Sequence, residues 1–268
     1  MTRKARNLIT FVFSTAIVGA VGCDKKDESA STVGAAASSV APSVASPGAA
    51  VVKYAIDVAG KTTIDMPAPK EHIKADTSAS AGELQVDLAN LANSRGEVKA
   101  DLETLKTHTF GDSKDEKQTE HALTWLEVGA QTPANVKDAN RWATFAIRSI
   151  DGPSATDLAK VSPEKQGDGD VRTVTLTAHG DFLLHGHKVA KDAALELTFH
   201  YSPGAPAESK PMGIDVRSKG PLHIVLADHE VKPRDNLGAL AQNALGLLGT
   251  KVAETADVTL DLHASPAP

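Results

Sequence analysis

Cysteine, aromatic rings and long apolar runs are all scarce in this chain of 268 residues. A single Cys excludes an intrachain disulfide framework and a cysteine-based zinc cluster. Few rings, with 34 acidic against 28 basic residues and a formal charge of −6, argue against a nucleic-acid surface. The common nucleotide and hydrolase signatures are missing: Gly-x-Ser-x-Gly, Gly-x-Gly-x-x-Gly, the phosphate loop and His-Glu-x-x-His. His229 and Glu230 begin the last of these, but position 233 is Pro. Ser162 and Lys165 have Ser-x-x-Lys spacing without its partner motifs. No catalytic set and no cofactor motif follows, so a non-enzyme is expected.

A metal set is not evident either. His179, His185 and His187 are close in sequence. A strand rises ~3.3 Å per residue, so His179 and His185 would stand roughly 20 Å apart on it. His185 and His187 alone would need further ligands from elsewhere.

The longest apolar run covers residues 8–22, shorter than the ~20 residues of a membrane span. Arg3, Lys4 and Arg6 precede it, and Ala20, Val21, Gly22 and Cys23 end it. This order fits a secretory signal. The ending resembles the lipobox of bacterial lipoproteins, in which the Cys is lipidated and becomes the mature N-terminus. The plainer alternative is a signal peptide that happens to contain a Cys. Loss of residues 1–22 would take the charge to −9. Acyl chains rather than charge would then hold the protein at a membrane, and stable anchoring takes more than one. Residues 24–50 are Ala, Ser, Pro and Gly with a few charges and read as a disordered tether. Residues 265–268 read as a frayed tail.

Between them, residues 51–264 read as one mainly antiparallel β domain, a sandwich or closed barrel. Leu84, Val86 and Leu88 alternate with polar residues, as do Val98, Ala100 and Leu102. Leu195, Leu197, Phe199 and Tyr201 do the same, and so do Val258, Leu260 and Leu262. Period-two alternation gives each strand one apolar and one wet face. Turn residues fall at 167–170, 202–204 and 218–221. Leu237, Leu240, Ala241, Ala244, Leu245 and Leu248 predict an amphipathic helix between Asp235 and Gly249. A second helical or loop segment is expected over 118–128, around Trp125 and Leu126.

A barrel of about eight strands is filled by its own side chains or leaves room for one slender ligand. Only eight aromatic residues follow position 22, so Leu, Val, Ala and Ile would line the interior. Aliphatic walls suit an alkyl or isoprenoid chain, and they equally suit a solid core. Parity nominates the wall: Ile56, Val58, Ile64 and Met66; Leu84, Val86, Leu88, Val98 and Leu102; then Phe145, Phe182, Leu184, Leu197 and Phe199.

Several segments resemble the bacterial YceI-like family. Tyr54, Ile56 and Asp57 look like its Tyr-x-Ile-Asp opening, and residues 82–88 resemble its Gly-x-Ile-x-x-Asp strand. Residues 98–107 and 142–147 are similar to later strands. Residues 179–186, with Gly180, Phe182, His185 and Gly186, resemble its Gly-x-Leu-x-x-His-Gly segment. The order holds from about residue 53 to 235. Departures are Glu120 and His121 for the family's Arg-Asp, residues 125–128 for a Phe-rich stretch, and His187 and Lys188 after the His-Gly. The resemblance implies a lipocalin-like antiparallel barrel, without catalytic residues, that holds a polyisoprenoid or related lipid in the periplasm. The competing reading is a filled barrel that serves the envelope as an interaction module.

Overall fold

The computed structural model describes residues 51–233 and 253–268. The expected signal peptide with Cys23, the expected tether and the helix expected at 237–248 lie outside the described residues. Among the described residues there are thirteen strands. These are β1 (Val51–Ile56), β2 (Lys61–Pro67), β3 (His72–Thr77), β4 (Ser80–Asp87), β5 (Arg95–Asp101) and β6 (Lys106–Thr107). Then come β7 (Trp142–Asp151), β8 (Glu164–Gln166), β9 (Gly169–Leu184), β10 (His187–Tyr201), β11 (Gly213–Ser218), β12 (Leu222–Val225) and β13 (Thr255–Pro266). Two α-helices, α1 (Lys114–Trp125) and α2 (Ala134–Asn140), sit between β6 and β7.

Every strand pairing is antiparallel, and the sheet closes on itself. Eight strands run round the ring in the order β1-β4-β5-β7-β9-β10-β11-β13, and β13 returns to β1 with Ile56 opposite Ala264 and Tyr54 opposite Pro266. This is a lipocalin-like antiparallel barrel. The expected tail takes part: Ser265 and Pro266 belong to β13, and Ala267 N–H donates to the carbonyl of Lys53. Leaving these last groups unpaired would have opened the ring, so the tail is a strand end. The upper half of β13 turns the same edge to β2 instead, with Asp257 opposite Asp65, and β3 and β6 extend that flank. No helix among the described residues is long and apolar enough to cross a membrane.

The chain bends between β1 and β2 so that one edge of β13 can serve both. Val58 lies in that bend and is 72% exposed, which corrects its assignment to the wall. The parity count carries across residues 57–60 only if the strand is continuous, and it is not. Gly60 sits where a Cβ would fall 2.3 Å from Ser80 Oγ and 2.5 Å from Leu262 Cδ2.

The longest hairpin joins β9 to β10 through two residues, His185 and Gly186, with Leu184 opposite His187. Their φ angles are 50° and 77°. Two successive positive φ values are what a type I′ turn requires, and this turn follows the natural twist of the strands. Histidine is among the residues enriched at such angles, so the His-Gly pair has a backbone reason to be there.

One end of the barrel is solid. Tyr54, Phe199, Ile214, Val174 and Leu158 are completely or almost completely buried there. Tyr54 Oη donates to the Pro211 carbonyl at 3.1 Å. Arg172 is also buried; its guanidinium lies 4.6 Å over the Tyr201 ring and donates to the Ala207 carbonyl at 2.6 Å.

Candidate ligand-binding cavity

Beyond that solid floor the barrel is hollow, with a cavity of about 690 Å³. Alternation builds its wall: each strand sends every second side chain inward, and at this depth they are aliphatic, small or Phe. Of the residues nominated by parity, Ile64, Met66, Leu84, Val86, Val98, Leu102, Phe145, Phe182, Leu184 and Leu197 line it. Ile56 and Phe199 point inward but belong to the floor, packed against core neighbours on every side. Leu88 lies one residue past the end of β4 and packs on the outside edge of the core. These three, like Val58, are off the cavity.

The sequence reading passed over Leu176, Leu195, Val216 and Leu260, which also line it. Their alternation was visible, for Leu195 and Leu260 in the quoted runs themselves. It also passed over α1. Lys114, Lys117, Gln118, His121, Ala122 and Trp125 line the cavity from this helix, at the spacing of one helical face. The helix covers most of the segment expected near 118–128; α2 was not foreseen.

Helix α1 buries no residue fully, so polar anchors seat it. Thr107 N–H donates to Thr119 Oγ1 at 2.9 Å, and Thr107 Oγ1 donates to the Asp115 carbonyl at 2.8 Å. The Asp115 side chain accepts from the N–H groups of Phe110 and Gly111 at 3.0 and 2.8 Å. Desolvation opposes ionisation of that carboxyl, and these backbone donors outweigh it and hold it below the usual carboxylate range.

Titratable groups on the cavity are few: Glu71, Arg95, Lys114, Lys117 and His121. Three cations and an imidazole face one carboxylate. Lys114 also lies 3.8 Å from Asp112 and 5.4 Å over the Phe110 ring. No nucleophile among the lining residues is paired with a base, and the arrangement favours acceptor groups near α1 and apolar matter below.

A polar knot ties the rim together. His185 Nε2 meets Glu127 Oε2 at 2.6 Å, and its Nδ1 lies 3.2 Å from the carbonyl of His229. His229 is fully buried, with Nδ1 donating to the His187 carbonyl at 3.0 Å and its ring edge-on to Phe182. Burial pushes the His229 imidazole below its usual value. Glu127, His185 and Glu230 are the non-glycine residues with positive φ among those described, and all three sit in this knot. It clamps the end of α1, the β9–β10 hairpin and the 3-10 turn Leu226–His229 to one another. His185 and His187 lie against each other, with ring centroids 6.4 Å apart, while His179 is not among them. His179 instead lies between Asp192 and Asp151, at 2.6 and 3.1 Å.

No protein-family model matches the sequence, and no curated protein matches it either. Solved structures do resemble it. One is a polyisoprenoid-binding domain from Saccharophagus degradans implicated in plant cell wall breakdown. It is 16% identical, with 81% of this chain and 99% of that one covered, at a TM-score of 0.47. Another is BcnA of Burkholderia cenocepacia, 13% identical over 78% of this chain and 99% of that one, at 0.46.

Proposed function

We propose that this protein is a non-catalytic lipid-binding lipoprotein of the bacterial envelope. In this reading its barrel sequesters or carries a polyisoprenoid or similar apolar chain. The cavity carries the proposal: about 690 Å³ of space walled by aliphatic and Phe side chains. That volume is in the range of small-molecule sites, at ~300–1,000 Å³. Burying an apolar chain there is favourable by ~25 cal/mol per Å² removed from water. Lys117, Gln118 and His121 on α1 would meet the polar head.

The signal sequence and Cys23 support anchoring by acyl chains, facing the periplasm, with residues 24–50 as tether and 51–264 as the binding domain. The tether would hold the barrel near the membrane that supplies its ligand. The motif matches now have places in the fold, Tyr54 in the floor and His185 with Gly186 in the type I′ turn, which supports a divergent member of the YceI-like family.

The test is native mass spectrometry of the full chain purified from its own envelope, followed by organic extraction. A stoichiometric isoprenoid or fatty chain is expected. A protein that emerges empty and takes up nothing from a lipid mixture overturns the proposal in favour of an interaction module.

A further inference from the structure

On the outer wall, away from the cavity, three neighbouring strands aim one metal-ligand side chain each at a single spot. They are His200 on β10, Asp215 on β11 and His263 on β13. Their direction is fixed by alternation: Phe199 and Tyr201, Ile214 and Val216, and Leu262 and Ala264 flank them in sequence, and all six are buried inward. Register brings them side by side, with Asp215 opposite His263 and His200 opposite Gly213.

The donor atoms converge. His263 Nδ1 is 2.7 Å from Asp215 Oδ1, and His200 Nε2 is 3.0 Å from Asp215 Oδ2. One ligand atom from each residue lies within 4.8 Å of the others. Around a tetrahedral ion with bonds of ~2.0–2.1 Å, ligand atoms stand ~3.3 Å apart. Small side-chain rotations close the difference.

Three further observations point to a ligand. His200 Nε2 is shut off from solvent, yet it meets no partner in hydrogen-bond geometry, Asp215 included. A buried nitrogen left so is unfavourable, and a metal would satisfy it. Gly213 lies opposite His200 in register, where a Cβ would sit 2.8 Å from Cε1 and Nε2 of His263. The glycine is the room that lets this ring lie across the strand. Beside the cluster a surface hollow, whose polar lining is Asp57, Lys61, Asp215, Asp261 and His263, gives space for water on an open coordination position. Two cations stand near: Arg217, which reaches Asp261 at 3.0 Å and stands 3.7 Å from Asp215, and Lys61 in the hollow, which pairs with Asp76 at 3.5 Å.

We propose that His200, Asp215 and His263 bind a divalent transition-metal ion of the zinc type. Two imidazoles and one carboxylate suit zinc, nickel or copper, whereas calcium and magnesium want a shell of oxygens. The ion would staple β13, the strand that closes the ring, to β11 and β10. The site is independent of the cavity and of what the cavity holds.

Metal-free full chain is titrated with Zn²⁺ by calorimetry, with Co²⁺ absorption as a second readout. A saturable site that needs these residues, a four-coordinate Co²⁺ spectrum and a raised melting temperature are expected. Loss of an outer-shell partner alone weakens metal sites ~10–100-fold, so His200→Ala, His263→Ala and Asp215→Asn should each weaken binding at least as much. His223→Ala, which removes another outward His paired with an Asp at 2.8 Å, should change nothing. Arg217→Ala should leave binding intact or tighten it. In case a variant fails to fold, imidazole ¹⁵N resonances of the wild-type protein give the same answer: those of His200 and His263 move on adding Zn²⁺. Unmoved resonances, absence of binding, or unchanged affinity in both folded histidine variants overturns the proposal.

Discussion

Gly180 shows how a single side chain, or the lack of one, shapes the cavity. A Cβ there would lie 2.5 Å from the Ala146 carbonyl oxygen and 2.8 Å from Phe145 Cζ. The Phe145 ring therefore lies flat over β9, and the space inside depends on it. Two substitutions separate wall from floor. Ala178→Phe points a ring into the void and should abolish lipid uptake. Its effect on stability should be less than the ~1–3 kcal/mol of overpacking a filled core. Phe199→Ala should destabilise by ~3–5 kcal/mol in denaturant unfolding and leave uptake by the folded fraction intact. His229 gives a pH dependence. Its imidazole is held below the ordinary 6.5 by burial first, against the His187 carbonyl bond that favours the charge. Above 6.5 both folded and unfolded chains hold it neutral. Below 6.5 the unfolded chain takes the proton first, so stability falls as pH drops towards the folded value. His229→Asn should flatten that slope in urea titrations from pH 7 to 5. His179 runs the other way. The Asp192 hydrogen bond raises it most, so its contribution is complete below 6.5 and fades as pH rises through the folded value.

Among the elements, the strands were legible and their depth was not. Alternation is local, so β4, β5, β10 and β13 could be read from a few residues each. Whether an inward residue meets the floor or the void depends on closure between β1 and β13, more than two hundred residues apart in sequence. Hence Ile56 and Phe199 had the right parity and the wrong level. The pair of histidines flanking Asp215 was hidden for the same reason: 63 positions separate them, and only the register of three strands unites them. Helix α1 escaped full reading because its inner face mixes Lys, Gln, His and Trp and carries no apolar stripe. Its polar seating makes a prediction: Thr107→Val keeps the backbone N–H bond to Thr119 but removes the Oγ1 bonds to the Asp115 carbonyl and, at 3.0 Å, to Thr119 Oγ1, and lipid exchange should quicken with little change in melting temperature. Helix α2 is followed by a stronger anchor. Arg141 donates to Asp101, at 3.0 Å from Nε and 2.5 Å from Nη2. Asp101 is only 3% exposed, and Arg141→Ala should cost about 1–3 kcal/mol because a buried carboxylate loses its partner.

For the molecule as a whole, an occupied cavity adds binding energy to folding energy. A ligand that binds only the folded state stabilises it by ~2.7 kcal/mol at a hundred times its dissociation constant. Protein stripped by organic extraction should melt at a lower temperature than protein taken directly from its envelope, and re-addition of the extracted lipid should restore it. The shared edge of β13 gives this barrel two different kinds of wall. Below, β13 to β1 completes an unbroken hoop. Above, the same edge leads into β2, β3 and β6, a side flap joined to β4 and β5 by short links such as Asp101 N–H to the Ala79 carbonyl at 3.0 Å. The strand path ends at β6, so any opening of the collar would fall at that edge and not at the waist. In the proposed carrier, how fast cargo comes and goes and how long the fold survives would therefore be set by separate bonds, and selection would be free to loosen one without weakening the other.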